Sequence, residues 1–172
     1  SSFNLAAQPT NAGTGIVTNG SSLLQPFEIG PAWTSTFDAA WGSAAAFGIV
    51  SGGQTGNALQ AVRSGPGSSA RVQTFPVRTN TPYQLSVWIR CPSSTAAYWA
   101  ECAYRLGQFT AEDFDANASS WTLVRKFSNT GVNGNGNVWT LYTINFNSAA
   151  NTQVSVGFKL GASSGTGPTV HW

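Results

Sequence analysis

Residues 83–106, YQLSVWIRCPSSTAAYWAECAYRL, hold two alternating runs, and how they pair decides the fold. Leu85, Val87, Ile89 and Cys91 alternate with Ser86, Trp88 and Arg90, a period of two that places the two sets on opposite faces of a strand. The return run also alternates: Tyr98, Ala100, Cys102, Tyr104 and Leu106 against Trp99, Glu101, Ala103 and Arg105. With Cys91 set opposite Cys102, the runs form an antiparallel hairpin in which Ile89 meets Tyr104, Val87 meets Leu106 and Trp88 meets Arg105. One face is then apolar, and the other gathers Trp88, Arg90, Trp99, Glu101 and Arg105. A slip of one residue would turn Trp99 and Glu101 over. Two indoles beside three charged groups, in a chain with only 8% charged residues, point to a binding face. The plainer alternative is an exposed sheet face with scattered aromatics.

Working outward, 172 residues suit one domain, residues 1–172, large enough to bury a core. A net charge of +2, with no basic run, argues against nucleic acid as a partner. No apolar run reaches the ~18–20 residues of a membrane span. Residue 1 is Ser and no signal peptide is seen, so the chain reads as a mature or excised segment, cut short at its C-terminal strand. A Cys91–Cys102 cross-strand disulfide fits an oxidising compartment and would contribute on the order of 3 kcal/mol at best; two buried thiols are the alternative. Two Cys and one distant His are too few for zinc. The sequons at Asn19 and Asn117 are weak signals.

Short strands separated by turn signals fill the rest: 23–28, 57–62, 70–77, 121–127, 138–146, 154–160 and 168–172. Residues 32–56 read as a loop-like region in which Gly42 and Gly48 oppose a helix. Leu123 and Arg125 fall on one side of their strand. The step from Trp139 to Tyr142 breaks alternation and suggests a bulge, with Trp139 in the core. Nine or ten strands with no clear helix give an all-β fold, a two-sheet antiparallel β-sandwich, with jelly roll the expected topology.

Catalysis finds little support. The carboxylates Glu112, Asp113 and Asp115 share one loop, His171 stands beside the last residue, and no GxSxG, HExxH or P-loop occurs.

The order of pieces resembles the carbohydrate-binding modules of the superfamily joining families 4, 9, 16 and 22. The matching pieces are LLQPFEIG (23–30), GNALQAV (56–62), VQTFPVRTNTPYQLSVWIR (72–90), VWTLYTINF (138–146), VSVGFKLG (154–161) and PTVHW (168–172). The resemblance implies a jelly roll that binds a single polysaccharide chain, such as xylan or β-glucan, on a concave face. It also implies secretion, commonly with an attached glycoside hydrolase domain. Aromatic rings offer plates to sugar C–H faces while Arg, Glu and Gln bind hydroxyls. Trp88, Arg90, Trp99, Glu101 and Arg105 are the carbohydrate-binding candidates, with Trp33 and Trp41 as groove walls and Gln60, Trp121 and Lys159 as lesser members. A structural calcium is implied too, with Glu28 as its carboxylate ligand; the family's second carboxylate would lie beyond Trp172. Two other functions compete: a structural or adhesive surface or virion domain on the same sandwich, and a hydrolase dependent on Glu101.

Overall fold

The computed structural model describes residues 3–7 and 39–172 except Thr55. Its strands are β1 (Phe3–Ala7), β2 (Ala39–Trp41), β3 (Ala45–Ser51), β4 (Asn57–Arg63), β5 (Gly67–Pro76), β6 (Pro82–Ile89), β7 (Tyr98–Leu106), β8 (Thr122–Ser128), β9 (Thr140–Asn147), β10 (Gln153–Ala162) and β11 (Val170–His171). A short helix, α1 (Ala111–Ala116), and a 3-10 turn at Ala118–Ser120 separate β7 from β8.

The strands form two layers. One is a five-stranded sheet in the order β2-β5-β10-β7-β8. The other combines β1-β6-β9 with β11-β4-β3, joined where the backbones of Arg90 and His171 bond in both directions at 2.9 and 3.0 Å. Among the described residues the chain changes layer at β2–β3, β4–β5, β5–β6, β6–β7, β8–β9, β9–β10 and β10–β11. This repeated crossing is the connection style of a jelly-roll sandwich.

Burial explains the layers. Tyr83, Leu85, Val87, Ile89 and Cys91 from the β6 run meet Tyr98, Ala100 and Cys102 of β7 in one buried cluster. Val154, Val156, Phe158 and Leu160 of β10 and the C-terminal Trp172 complete it. Both alternating runs therefore send their apolar sides inward, as the period-two pattern predicts. They do so from opposite sheets. β6 pairs with β1 and β9, and β7 pairs with β10 and β8, so the expected hairpin does not form. The alternation was common to both arrangements; facing layers satisfy it as well as neighbouring strands do.

Other expectations change with that one. Cys91 and Cys102 are free, buried thiols rather than a disulfide. Burial pushes the Cys91 thiol up to about 11 and raises that of Cys102 further, so neither is a reactive thiolate. Residues 45–51, expected in a loop, form β3 against β4. The bulge lies between β7 and β8 at Cys102/Ala103, not near Trp139. Leu123 consequently faces outward while Arg125 lies over the Phe127 and Tyr142 rings, 5.1 and 5.0 Å from their centroids. Trp139 is half-buried and outside the core cluster.

The helix was not foreseen. Its N-cap is Thr110, whose hydroxyl accepts from the Asp113 amide at 3.0 Å, and Glu112 and Asp113 place negative charge in the first turn. Six residues do not sustain a helix alone. Phe114, fully buried, anchors it on the outer face of the five-stranded sheet with Ala70, Val72, Ala103, Ala111 and Trp121.

Candidate functional site

The outer face of the five-stranded sheet carries half of the expected binding residues. Inward residues of β7 fix Trp99, Glu101, Ala103 and Arg105 outward by alternation. Register then aligns three cross-strand rows. Gly157 and Ala103 sit opposite each other beneath α1. Lys159, Glu101 and Lys126 form the middle row, on β10, β7 and β8. Gly161, Trp99 and Ser128 form the next.

Two glycines let aromatic rings lie on this face. A Cβ at Gly157 would stand 2.6 Å from a Phe114 ring carbon, and one at Gly161 would fall inside the Trp99 indole. Phe114 thereby closes one end of the face, while Trp99 lies flat on the other end, half-buried.

Between these rings runs the charged row. Glu101 bonds Lys159 at 3.3 Å and Lys126 at 3.1 Å. The Lys159 and Glu101 side chains are 5% and 6% exposed, against 47% for Lys126. Lys159 also sits 4.7 Å from the Phe114 ring centroid, a cation–π contact that ties the row to the helix.

Two depressions open along this row. One, of about 320 Å³, lies beside Trp99 and is lined by Lys126, Ser128, Asn129, Thr130 and Ser163 among others. The second, of about 400 Å³, is lined by Glu101, Ala118, Ser119, Trp121, Leu123 and Lys126. Lys126 lines both, so the two adjoin, giving a grooved surface between the 3-10 turn and the Trp99 end.

Arg105, though on the same face, serves the helix. It bonds Asp113 at 2.7 Å and covers the Phe109 ring at 3.7 Å. Asp113 also accepts from the Trp121 indole at 3.0 Å and from Asn117 at 2.9 Å. Desolvation pushes its carboxyl up, but these bonds and the Arg105 charge outweigh it and hold it below the ordinary carboxylate range.

Trp88 and Arg90 stand elsewhere. Their neighbours Val87 and Ile89 point into the core, so both face outward from the other layer. A second row crosses that face: Gln60 opposite His171, and His171 bridged to Arg90. The Gln60 amide lies 3.0 Å from His171 Nε2, and the Arg90 guanidinium 3.5 Å from it. Trp139 packs edge-on to His171 and beneath Arg90, whose centre is 5.1 Å from the ring. Arginine can only donate, so His171 Nε2 accepts and the proton sits on Nδ1. Burial, aided by the Arg90 charge, lowers the His171 pKa, in keeping with a neutral ring.

The single face expected from Trp88, Arg90, Trp99, Glu101 and Arg105 is thus divided between the two outer surfaces of the sandwich. Trp41 lies in β2, and Trp33 and Glu28 fall outside the described residues. Among the described residues, no three His, Cys, Asp or Glu side chains are gathered to hold a metal ion. Lys126, Leu123 and Asn129 were missed; the first two could have been found from the outward alternation of 121–127, had the bulge been placed. No helix among the described residues is long and apolar enough to cross a membrane.

No family model matches the chain, and no curated protein matches it. Solved structures with similar backbones include the enzymatically active domain of tailspike protein 4 from bacteriophage CBA120, at 11% identity and a TM-score of 0.48, with 77% of this chain and 18% of that one covered. A structure described as "CBM4 structure and function" is 15% identical over 77% of this chain and 79% of that one, TM-score 0.43. The CBM22-1 xylan-binding domain of Paenibacillus barcinonensis Xyn10C is 10% identical over 79% of this chain and 83% of that one, TM-score 0.45. The chain therefore spans a minor part of the tailspike domain and most of each module.

Proposed function

We propose that this chain is a non-catalytic polysaccharide-binding module whose site is the groove on the outer face of the five-stranded sheet. The observation that carries this is Trp99, laid flat on Gly161 beside the Lys159–Glu101–Lys126 row and lining a depression that shares Lys126 with a second one. A fixed indole offers an apolar plate for a sugar ring, and the neighbouring charged and amide groups supply directional bonds to hydroxyls. Strands hold these groups more rigidly than loops would. A groove open along its length suits a chain such as xylan, β-glucan or a similar glycan. The motif resemblance points to the same class, and with it to an extracellular setting and an attached glycoside hydrolase domain.

The state of two carboxylates on this face supports binding without turnover. A glycosidase needs two carboxyl groups ~5–10 Å apart across a cleft, free to move protons. Glu101 is fixed by two ammonium groups, and Asp113 by Arg105, Trp121 and Asn117.

Affinity electrophoresis in gels containing β-glucan, xylan or mannan tests the proposal. Retardation by at least one of these polymers, with no reducing ends released, is the expected result. Free migration in all of them would contradict it, and a homo-oligomer with Trp99 shielded from quenchers would favour an assembly role instead.

A further inference from the structure

We infer that the groove selects acidic polysaccharides, taking a sugar carboxylate at the Lys126 ammonium; this rests on the carbohydrate-binding reading of the same groove. The middle row holds two cations and one anion. Lys159 and Glu101, both deeply buried at 3.3 Å, neutralise each other. Lys126 brings a second positive charge to a carboxylate that already has a partner. Its 3.1 Å contact is made from a side chain 47% exposed, the kind of ion pair that is weak and readily exchanged.

Position makes this surplus useful. Lys126 is the one cationic residue lining both depressions. On the nearby wall Asp113, bonded to the Trp121 indole, is paired with Arg105 at 2.7 Å; the helix also carries Glu112 and Asp115, the latter bonded to Ser68, and neither lines the depressions. Ser128, Asn129 and Thr130 beside Trp99 are neutral. Within the row itself, a sugar stacked on Trp99 sits next to an excess of one positive charge. A uronate carboxylate arriving there gains a charge-assisted bond, while a neutral sugar gains an ordinary one. An ammonium is a point charge without a fork, so the preference is for anionic character rather than for one substituent geometry.

The experiment compares matched polymers. Glucuronoxylan and polygalacturonate are each presented beside their own carboxyl-reduced form, which removes charge and keeps the backbone. The expected result is tighter binding of an acidic form than of its reduced form, by about three- to fivefold at low salt. That advantage should fade near 0.5 M salt, where the screening length is only about 4 Å. Lys126→Gln should bring binding of the acidic form down to that of its reduced form, with the fold retained. Equal binding of acidic and reduced forms, or an advantage that persists in Lys126→Gln, would overturn this inference alone. If neither form binds, and neutral glucans, xylans and mannans also fail, the carbohydrate reading falls and takes this inference with it.

Discussion

The two outer faces of the sandwich share strand geometry and differ in how their polar groups are finished. On the β6 face, Gln60, His171, Arg90 and Trp139 close on one another: amide to imidazole, guanidinium to imidazole, guanidinium over indole. Burial lowers the imidazole pKa, and two buried nitrogens of this row, His171 Nδ1 and Arg90 Nε, have no hydrogen-bond partner. On the β7 face, glycines at 157 and 161 let Phe114 and Trp99 lie on the sheet, and the row between them carries one cation more than it needs. A row packed against an indole, its unpaired nitrogens buried, is closed to a ligand. A row with surplus charge, exposed at one end and flanked by an indole, is equipped to bind. The lesson is that a Trp and an Arg on a sheet face do not make a site; charge that stays accessible beside them does.

Breaking the buried ion pair should give the largest effect. Glu101→Gln leaves Lys159, 5% exposed, without its counter-charge, and should destabilise the fold by about 3 kcal/mol, seen as a lower denaturation midpoint. Lys126→Gln, on the exposed side of the same carboxylate, should change stability by less than about 1 kcal/mol. Equal losses in the two variants would mean that the row is not graded by burial as the structure has it.

A smaller effect distinguishes the other face. The folded-state pKa of His171 lies below its ordinary value, so the unfolded chain takes up this proton at a higher pH than the folded one. Its contribution is complete above about pH 6.5 and is lost as pH falls through the lowered folded value. Protonation would remove the acceptor used by Gln60 and place a second cation beside Arg90. Denaturation midpoints measured from pH 7.5 to 5 should decline, and His171→Asn should flatten the decline. His171 is the chain's one histidine, so an unchanged slope in that variant would contradict the neutral-ring assignment.

Much of the fold was legible because the apolar period of two is strong in this chain. The runs at 57–62, 70–77, 98–106 and 154–160 became β4, β5, β7 and β10. Partner choice was not legible. Alternation tells which side of a strand is buried, and the β6 and β7 runs bury the same sides whether they adjoin or face each other across a core. The cysteines appeared to settle the matter, yet both are core thiols. The helix escaped notice because its stability comes from Phe114 fitting over Gly157, a tertiary contact without a local signature. Of the site, Trp99 and Glu101 were read from alternation alone. Lys126 stayed hidden behind the bulge, which shifts the faces of β8 by one residue.

The central claim is that the binding surface lies on the β7 face and not on the β6 face. Affinity electrophoresis of Trp99→Ala and Trp88→Ala, side by side in the polymer that most retards the parent chain, tests it most directly. Loss of the Trp99 plate should weaken binding about tenfold or more, as for removal of a Trp hot spot, with the fold retained. Trp88→Ala should migrate as the parent does. Retained binding in Trp99→Ala together with lost binding in Trp88→Ala would contradict the account and move the site to the other side of the molecule.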